Sequence, residues 1–169
     1  MTEAKKTNPL ANVRLVAFDV DGVFTDGRFY LSDDGVEAKS FHTQDGFGVR
    51  QLLKNGIDVA VISGRGSAAV EKRMAELGVE HVILGCTDKT AAFDELIEHL
   101  GVATGETAFV GDDIPDLPLL NKVGYSIAVA NAVRAVREYC NYTTARRGGH
   151  GAVREVCELV LAAVGEEQQ

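Results

Sequence analysis

The stretch VRLVAFDVDGVFTDG, residues 13–27, joins a strand-like apolar run to a cluster of carboxylates. The run VRLVAF is typical of a strand buried inside a parallel sheet. It ends in Asp19, Asp21 and Asp26, which are separated by glycine and by apolar residues. Carboxylates this close repel one another. The stretch therefore indicates that a positive charge is held at the end of this strand.

Outward from this stretch, strand-like and helix-like segments alternate along the chain. IDVAVIS, HVIL, TAFVG and YSIAV have the composition of strands, and most of the helical patterns between them end at a glycine. Alternation with short connections predicts an α/β fold, a doubly wound and mostly parallel sheet covered by helices on both faces.

The domain organisation follows from the same pattern. We expect one domain over residues 13–164, with flexible segments at 1–12 and 165–169. Two extended segments flank the turn signal Asp33-Asp34-Gly35 and predict a β-hairpin at about 28–42. The first helix is expected to begin at Asp45, a candidate N-cap, and a later one after Thr87 as its N-cap.

Composition and charge exclude some function classes. The 169 residues carry a net charge of −8, which disfavours general binding to nucleic acid or to an acidic membrane. No apolar run has the length of a membrane span. Cys86, Cys140 and Cys157 lack metal-type spacing, so we expect buried, reduced thiols and a cytoplasmic protein.

Polar residues follow four of the predicted strands. Ligands of open parallel sheets bind beyond the carboxyl ends of the strands, so these residues should meet at one rim. They are Asp19 and Asp21, then Ser63, Gly64 and Arg65, then Asp88 and Lys89, then Asp112, Asp113 and Asp116.

This rim has the composition of a phosphoryl-transfer site. Clustered carboxylates are tolerated when a hard cation such as Mg²⁺ neutralises them. Asp19 can attack phosphorus to form an aspartyl-phosphate, and Asp21 can protonate the leaving group and later activate water. Ser63 and Lys89 can bind the phosphoryl oxygens.

The motifs DVDGVFTDG, ISGR, Lys89 and GDDIPD resemble, in order and spacing, the four motifs of the haloacid dehalogenase superfamily. The resemblance implies a Rossmann-like core, bound Mg²⁺ and Asp19 as nucleophile. It also implies that the metal is held by Asp19, by the backbone carbonyl of Asp21 and by Asp112. The roles of Asp113 and Asp116 stay open.

Two features, the second acid Asp21 and the small hairpin insertion, indicate which type of enzyme within this superfamily the sequence resembles. Dehalogenases lack an acid at the position of Asp21, and the related P-type ATPases have threonine there, so Asp21 favours a phosphatase or a phosphomutase. Only the hairpin separates the first two motifs, whereas mutases of the superfamily carry a large cap. A bare site is open to water, so we expect a neighbouring subunit to act as the lid.

FYLSDDGVEAKSFHTQDGFGV and GGHGAVREVCELVL look like the corresponding segments of 3-deoxy-D-manno-octulosonate 8-phosphate phosphatases. That resemblance implies a cytoplasmic homotetramer in lipopolysaccharide precursor synthesis. Its hairpins would form a central barrel, and its C-terminal tail would reach an adjacent active site. A phosphatase of a related nine-carbon acid sugar phosphate and a non-catalytic oligomerisation module remain alternatives, and the role of His150 stays open.

An acid sugar phosphate needs groups for its carboxylate and its hydroxyls. Arginine suits bidentate carboxylate recognition, and the HTQDG segment supplies polar groups after the hairpin. The expected substrate-binding residues are His42, Thr43, Gln44, Asp45, Gly46, Arg50, Gly64, Arg65, Arg73 and Lys89.

Overall fold

The computed structural model describes residues 8–167, which form two β-sheets and six α-helices. The strands are β1 (Leu15–Phe18), β2 (Tyr30–Leu31), β3 (Glu37–Ala38), β4 (Asp58–Ile62), β5 (His81–Ile83), β6 (Thr107–Gly111), β7 (Tyr125–Ala128) and β8 (Tyr142–Thr143). The helices are α1 (Thr43–Lys54), α2 (Ala68–Leu77), α3 (Lys89–Leu100), α4 (Leu117–Leu120), α5 (Arg134–Tyr139) and α6 (Ala152–Glu167).

The main sheet has the strand order β5-β4-β1-β6-β7-β8, and every neighbouring pair is parallel. From β1 the chain builds β4 and β5 on one side, then crosses to build β6, β7 and β8 on the other. The predicted doubly wound α/β fold is confirmed. Its strand order reverses beside β1, where the carboxyl ends of β4, β1 and β6 lie next to one another and form the expected binding rim.

Local signals set several helix ends. The left-handed Gly78, with φ 81°, ends α2, as its pattern predicts. Two predicted starts were wrong by one or two residues. The Asp88 carboxylate, not Thr87, caps α3 by accepting hydrogen bonds from the next turn, and α1 begins at Thr43 because the His42 side chain caps it.

The two ends of the domain are more ordered than the sequence suggests. Residues Pro9–Asn12 form a 3₁₀ helix that packs on α6, and Leu10 is only 1% exposed. Part of the segment predicted to be flexible, residues 9–12, is thus helical. Likewise, α6 continues to Glu167 inside the predicted tail. Residues 1–7 and 168–169 of the two predicted flexible segments lie outside the described range.

The predicted hairpin is present as the antiparallel pair β2–β3, and Gly35 adopts φ 82° in its turn. Three apolar side chains on it are largely exposed, at 72% for Tyr30, 65% for Leu31 and 63% for Val36. Within residues 8–167, no helix combines the length and the apolar character that crossing a membrane requires.

Candidate active site

The loop after β1 is held in one shape by its own hydrogen bonds. The carbonyl of Val20 accepts the N–H groups of the third, fourth and fifth residues after it. The fully buried Thr25 hydroxyl accepts the N–H groups of Gly22 and Gly27. This rigid loop presents the Asp19 and Asp21 carboxylates at the centre of the rim.

Gly22 lets the loop after β6 approach the loop after β1. Its φ is 88°, and a Cβ placed on it would lie 2.0 Å from Asp112 Oδ2. A side chain at this position would both strain the backbone and displace Asp112. The glycine of the DVDG motif therefore allows carboxylates from two strands to share one site.

Three carboxylates and one lysine form the centre of the site. Asp19, Asp112 and Asp116 each offer an oxygen, and these oxygens lie within 4.8 Å of one another. Lys89 Nζ donates to Asp19 Oδ1 and to Asp116 Oδ1, both at 2.7 Å. Burial alone would lower the pKa of Lys89, but Asp19 and Asp116 raise it above its ordinary value, so the ammonium stays charged.

Asp116 is an orienting group rather than a free ligand. It is 1% exposed, and its Oδ2 accepts the N–H groups of Asp112 at 2.9 Å and Asp113 at 3.3 Å. Its Oδ1 accepts from Lys89. Because both Asp116 oxygens are engaged, Asp19 and Asp112 are the carboxylates best placed to bind a cation. The spacing GDDIPD marked this residue but could not assign its role.

The positive charge of Lys89 is not enough to neutralise the other two carboxylates, Asp19 and Asp112. Burial, and then the neighbouring Asp116, raise the pKa of Asp19 to about 6. Burial, and then Asp19 and the other acids, raise the pKa of Asp112 to about 8, and Lys89 only partly offsets this. An all-oxygen donor set with excess negative charge fits Mg²⁺, which favours carboxylates and retained waters.

Ser63 and Arg65, which follow β4, lie beside the carboxylates at the same rim. Ser63 is 3% exposed, and its hydroxyl accepts the N–H of Arg65 at 3.3 Å. A cavity of about 330 Å³ opens between these loops. It is lined by Asp19, Asp21, Gly27, Ser63, Gly64, Arg65, Lys89, Asp112, Asp113, Pro115 and Asp116.

Arg65 lines this cavity but is already engaged by the hairpin. Its Nη2 donates to Glu37 Oε2 at 2.8 Å, and its guanidinium carbon lies 4.2 Å from the centre of the Phe29 ring. Glu37 also accepts from Ser67 Oγ at 2.9 Å. No local sequence pattern indicates these hydrogen bonds, because about thirty residues separate the partners in the chain.

The other predicted substrate-binding residues do not line this cavity in the described chain. Arg50 donates to the carbonyl of Glu76, and the Arg73 guanidinium forms an ion pair with the Glu76 carboxylate at 3.4 Å. His42, Thr43, Gln44 and Gly46 lie at the start of α1.

Asp45, from the same predicted set, is turned into the protein. It is 1% exposed, and its Oδ1 accepts the N–H of Arg154 in the first turn of α6 at 2.9 Å. Burial raises the pKa of this carboxyl. This placement favours a structural role that joins α1 to α6.

The GGHG segment, residues 148–151, packs on the loop after β1 of its own chain. A Cβ on Gly148 would lie 1.8 Å from the carbonyl oxygen of Gly22. Asn131 joins the two by donating to Gly22 O at 2.9 Å and accepting from Gly148 N at 2.6 Å. The family resemblance implies a C-terminal tail that reaches an adjacent site, and in this chain Gly148 and Gly149 contact the loop after β1. His150 is exposed, and its N–H donates to the carbonyl of Arg147.

Comparisons with known proteins give the same picture. Residues 85–156 match the family model of haloacid dehalogenase-like hydrolases. The chain is 46% identical over 155 residues to 3-deoxy-D-manno-octulosonate 8-phosphate phosphatase KdsC of Escherichia coli K12, covering 92% of this chain and 82% of the relative.

Solved structures agree along nearly the whole chain. The phosphatase of that name from Yersinia pestis superposes with a TM-score of 0.92 at 42% identity, over 94% of this chain and 85% of the other. The Moraxella catarrhalis enzyme, solved with magnesium, phosphate and KDO, gives a TM-score of 0.91 at 42% identity over 94% and 91%. The chain therefore belongs to the haloacid dehalogenase-like hydrolases, among the 3-deoxy-D-manno-octulosonate 8-phosphate phosphatases.

Proposed function

We propose that this protein is a Mg²⁺-dependent phosphatase that hydrolyses 3-deoxy-D-manno-octulosonate 8-phosphate to KDO and inorganic phosphate, a step of lipopolysaccharide precursor synthesis. The observation that carries the proposal is the convergence of Asp19, Asp112 and Lys89 on one cavity, in a chain 46% identical to enzymes of that name. The substrate named for those relatives is a primary alkyl phosphate, a class whose poor leaving group needs an acid.

In the proposed reaction, Asp19 attacks phosphorus and the bond from phosphorus to the sugar oxygen breaks. Asp21 gives its proton to that oxygen, so KDO leaves as an alcohol and Asp19 carries the phosphoryl group. Water then attacks the phosphorus of the aspartyl-phosphate while Asp21 takes its proton. The bond between phosphorus and the Asp19 oxygen breaks, and phosphate is released.

Three further groups support these steps. Asp19, Asp112 and the backbone carbonyl of Asp21 would hold Mg²⁺, which neutralises phosphoryl oxygens and draws the carboxylates together. Lys89 and Ser63 would stabilise the phosphoryl oxygens. The buried Asp116 supports this assignment, because it aligns Lys89 and two amides of the loop after β6.

The substrate contacts and the assembly are the finer part of the proposal. Gly64, Arg65 and Lys89 line the cavity and can contact the substrate directly. His42–Gly46, Arg50 and Arg73 could do so only through a movement or from a neighbouring subunit. The exposed apolar hairpin supports a homotetramer, whereas a C-terminal tail reaching a neighbouring site and a cytoplasmic location rest on the family resemblance.

A phosphate-release screen over phosphorylated acid sugars, with and without Mg²⁺, tests the proposal. We expect the highest kcat/KM with 3-deoxy-D-manno-octulosonate 8-phosphate and loss of turnover in excess chelator. A higher kcat/KM for a nine-carbon acid sugar phosphate would change the substrate but keep the reaction. Absence of Mg²⁺-dependent hydrolysis of any phosphomonoester would leave the non-catalytic module as the better interpretation.

A further inference from the structure

Lys39, directly after the hairpin strand β3, is a lysine with a buried side chain to which the sequence analysis assigned no role. Its side chain is only 1% exposed. An ammonium group is strongly hydrated, and its burial is tolerated when carboxylates pair with it. Since a buried lysine on a small surface hairpin is costly, its partners indicate what it does.

The Lys39 ammonium lies between two carboxylates. It forms an ion pair with Asp21 Oδ1, and Glu37 Oε1 lies 3.6 Å away. Glu37 is itself held at the start of α2 by Arg65 at 2.8 Å and by Ser67 at 2.9 Å. A continuous series of polar contacts therefore links the residues before α2, through Glu37 and Lys39 of the hairpin, to Asp21.

Among the described residues, Asp21 has no comparable support from any other group. In residues 8–167, Lys39 is the group that hydrogen-bonds to its carboxylate, which is 24% exposed at the edge of the cavity. An unheld carboxylate samples several rotamers, and proton transfer requires one that faces the leaving oxygen. Asp19, in contrast, is fixed by Lys89 and by its backbone bond to Val110.

We propose that Lys39 is a positioning residue that holds the Asp21 carboxylate toward the reacting phosphoryl group, so that the hairpin of each chain completes that chain's own acid/base. This inference rests on the proposed function, in which Asp21 transfers the protons. Asp21 lines the cavity and Lys39 is not among its lining residues, so Lys39 acts through Asp21. The hairpin is thus part of the active site as well as an exposed apolar surface.

The test uses the dependence of rate on the leaving group. Lys39→Met keeps the length of the side chain and removes its charge. We expect kcat/KM for the sugar phosphate to fall by about 10²-fold, because its alkoxide leaving group needs the acid. For p-nitrophenyl phosphate, whose leaving group needs little protonation, we expect a loss of less than about threefold. Across a series of substituted phenyl phosphates, the loss should grow with the pKa of the leaving phenol.

Matched variants separate positioning from a structural role. Lys72→Met, at an exposed lysine on α2, should leave both substrates unaffected. Lys39→Cys alkylated with 2-bromoethylamine restores an ammonium at nearly the same distance, and it should recover the sugar phosphate activity relative to wild type alkylated in parallel. An equal loss with every leaving group, or no recovery after alkylation, would overturn the assignment.

Asp21→Asn, measured alongside, distinguishes failure of this inference from failure of the proposed function. If Asp21→Asn shows the leaving-group dependence and Lys39→Met does not, Lys39 has no positioning role. If Asp21→Asn itself is independent of the leaving group, the proton-transfer role fails and Lys39 has nothing to position. If both are right, adding Lys39→Met to Asp21→Asn should cause no further loss, because the two changes remove the same function.

Discussion

Asp112 shows why the site needs a cation even before chemistry is considered. Its ordinary pKa is 3.8, and burial beside other acids raises it to about 8 in the folded protein. Between these two values the folded, metal-free protein holds a proton that the unfolded chain has lost. The carboxyl therefore makes folding less stable as pH rises through that window. If Asp112 binds Mg²⁺ as proposed, the metal would replace this proton and offset the loss of stability, because its binding requires the ionised carboxylate.

This linkage predicts that stabilisation by Mg²⁺ increases with pH. The Mg²⁺-induced rise in Tm should be small near about pH 5 and larger near about pH 8. Asp112→Asn should raise the Tm of the metal-free protein at the higher pH, since it removes a repelled carboxylate, and should abolish most of the Mg²⁺ response. Differential scanning calorimetry measures both effects without using activity. Asp33→Asn, in the exposed hairpin turn, is the control and should change neither. A pH-independent Mg²⁺ shift would contradict the assignment.

Asp19 is predicted to be the nucleophile, and its replacement should remove turnover rather than binding. Asp19→Asn should lower kcat by about four orders of magnitude or more, because the amide cannot form the aspartyl-phosphate. Acid-quenched protein should then carry no phosphoryl group. Asp26→Asn is a matched control from the same loop, because Asp26 is exposed and its side chain accepts a hydrogen bond from the N–H of Arg28. Near-normal turnover by Asp19→Asn, with mass spectrometry showing that the asparagine has not deamidated, would disprove the role.

At the scale of elements, the loop after β1 depends on a segment more than a hundred residues later. Gly148 packs so closely on Gly22 that a Cβ would lie 1.8 Å from the Gly22 carbonyl oxygen. Gly148→Ala must therefore displace either the segment or the catalytic loop. A displacement of about 1 Å at a catalytic group can cost about 10²-fold in rate.

We expect Gly148→Ala to lower kcat/KM by about that factor with the sugar phosphate and with p-nitrophenyl phosphate alike, and to lower Tm. Gly105→Ala is the matched control, because its added Cβ would meet nothing within 4 Å. A loss confined to the sugar phosphate would instead favour a role of this segment in specificity alone.

The same contacts explain what the sequence could and could not predict. Asp19, Ser63 and Asp112 each follow an apolar strand directly, so a short window of sequence places them at the rim. The contact between Asp45 and Arg154 spans 109 residues, and no local pattern announces it. Asp45 was therefore interpreted as a helix cap and a substrate contact.

The low apolar content of the segment before β1 led to the prediction that it is flexible, and the reason is again a contact with a distant part of the chain. The segment before β1 is mostly polar in sequence, yet one residue, Leu10, anchors its short helix against α6. The ion pairs of the hairpin could likewise not be predicted from local sequence. Glu37, Lys39 and Arg65 were each visible as charges, but their pairing depends on how the hairpin folds back over the rim.

At the scale of the whole molecule, the hairpin both contacts the rim and carries exposed apolar side chains. Glu37 and Lys39 form ion pairs with Arg65 and Asp21. Tyr30, Leu31 and Val36 are largely exposed and leave apolar surface uncovered. A two-stranded hairpin is marginal on its own, and exposed apolar side chains beside unpaired strand edges are typical of an interface. The proposed homotetramer would cover this surface and hold the hairpin against the catalytic loop.

This arrangement predicts that assembly and catalysis are coupled through the hairpin. Leu31→Glu combined with Val36→Glu should dissociate the tetramer, because four carboxylates per pair of hairpins cannot be buried together without partners. The monomer should lose more activity toward the sugar phosphate than toward p-nitrophenyl phosphate, since a loosened hairpin no longer fixes Asp21 through Lys39.

Light scattering coupled to size exclusion measures the mass, and the two substrates measure the effect on the acid. Tyr139→Glu, a charge placed at an exposed aromatic residue in the last turn of α5, should preserve both mass and activity. A wild-type protein that is monomeric and fully active would show that the exposed apolar face serves no assembly, and that each hairpin is stable enough alone to position its acid.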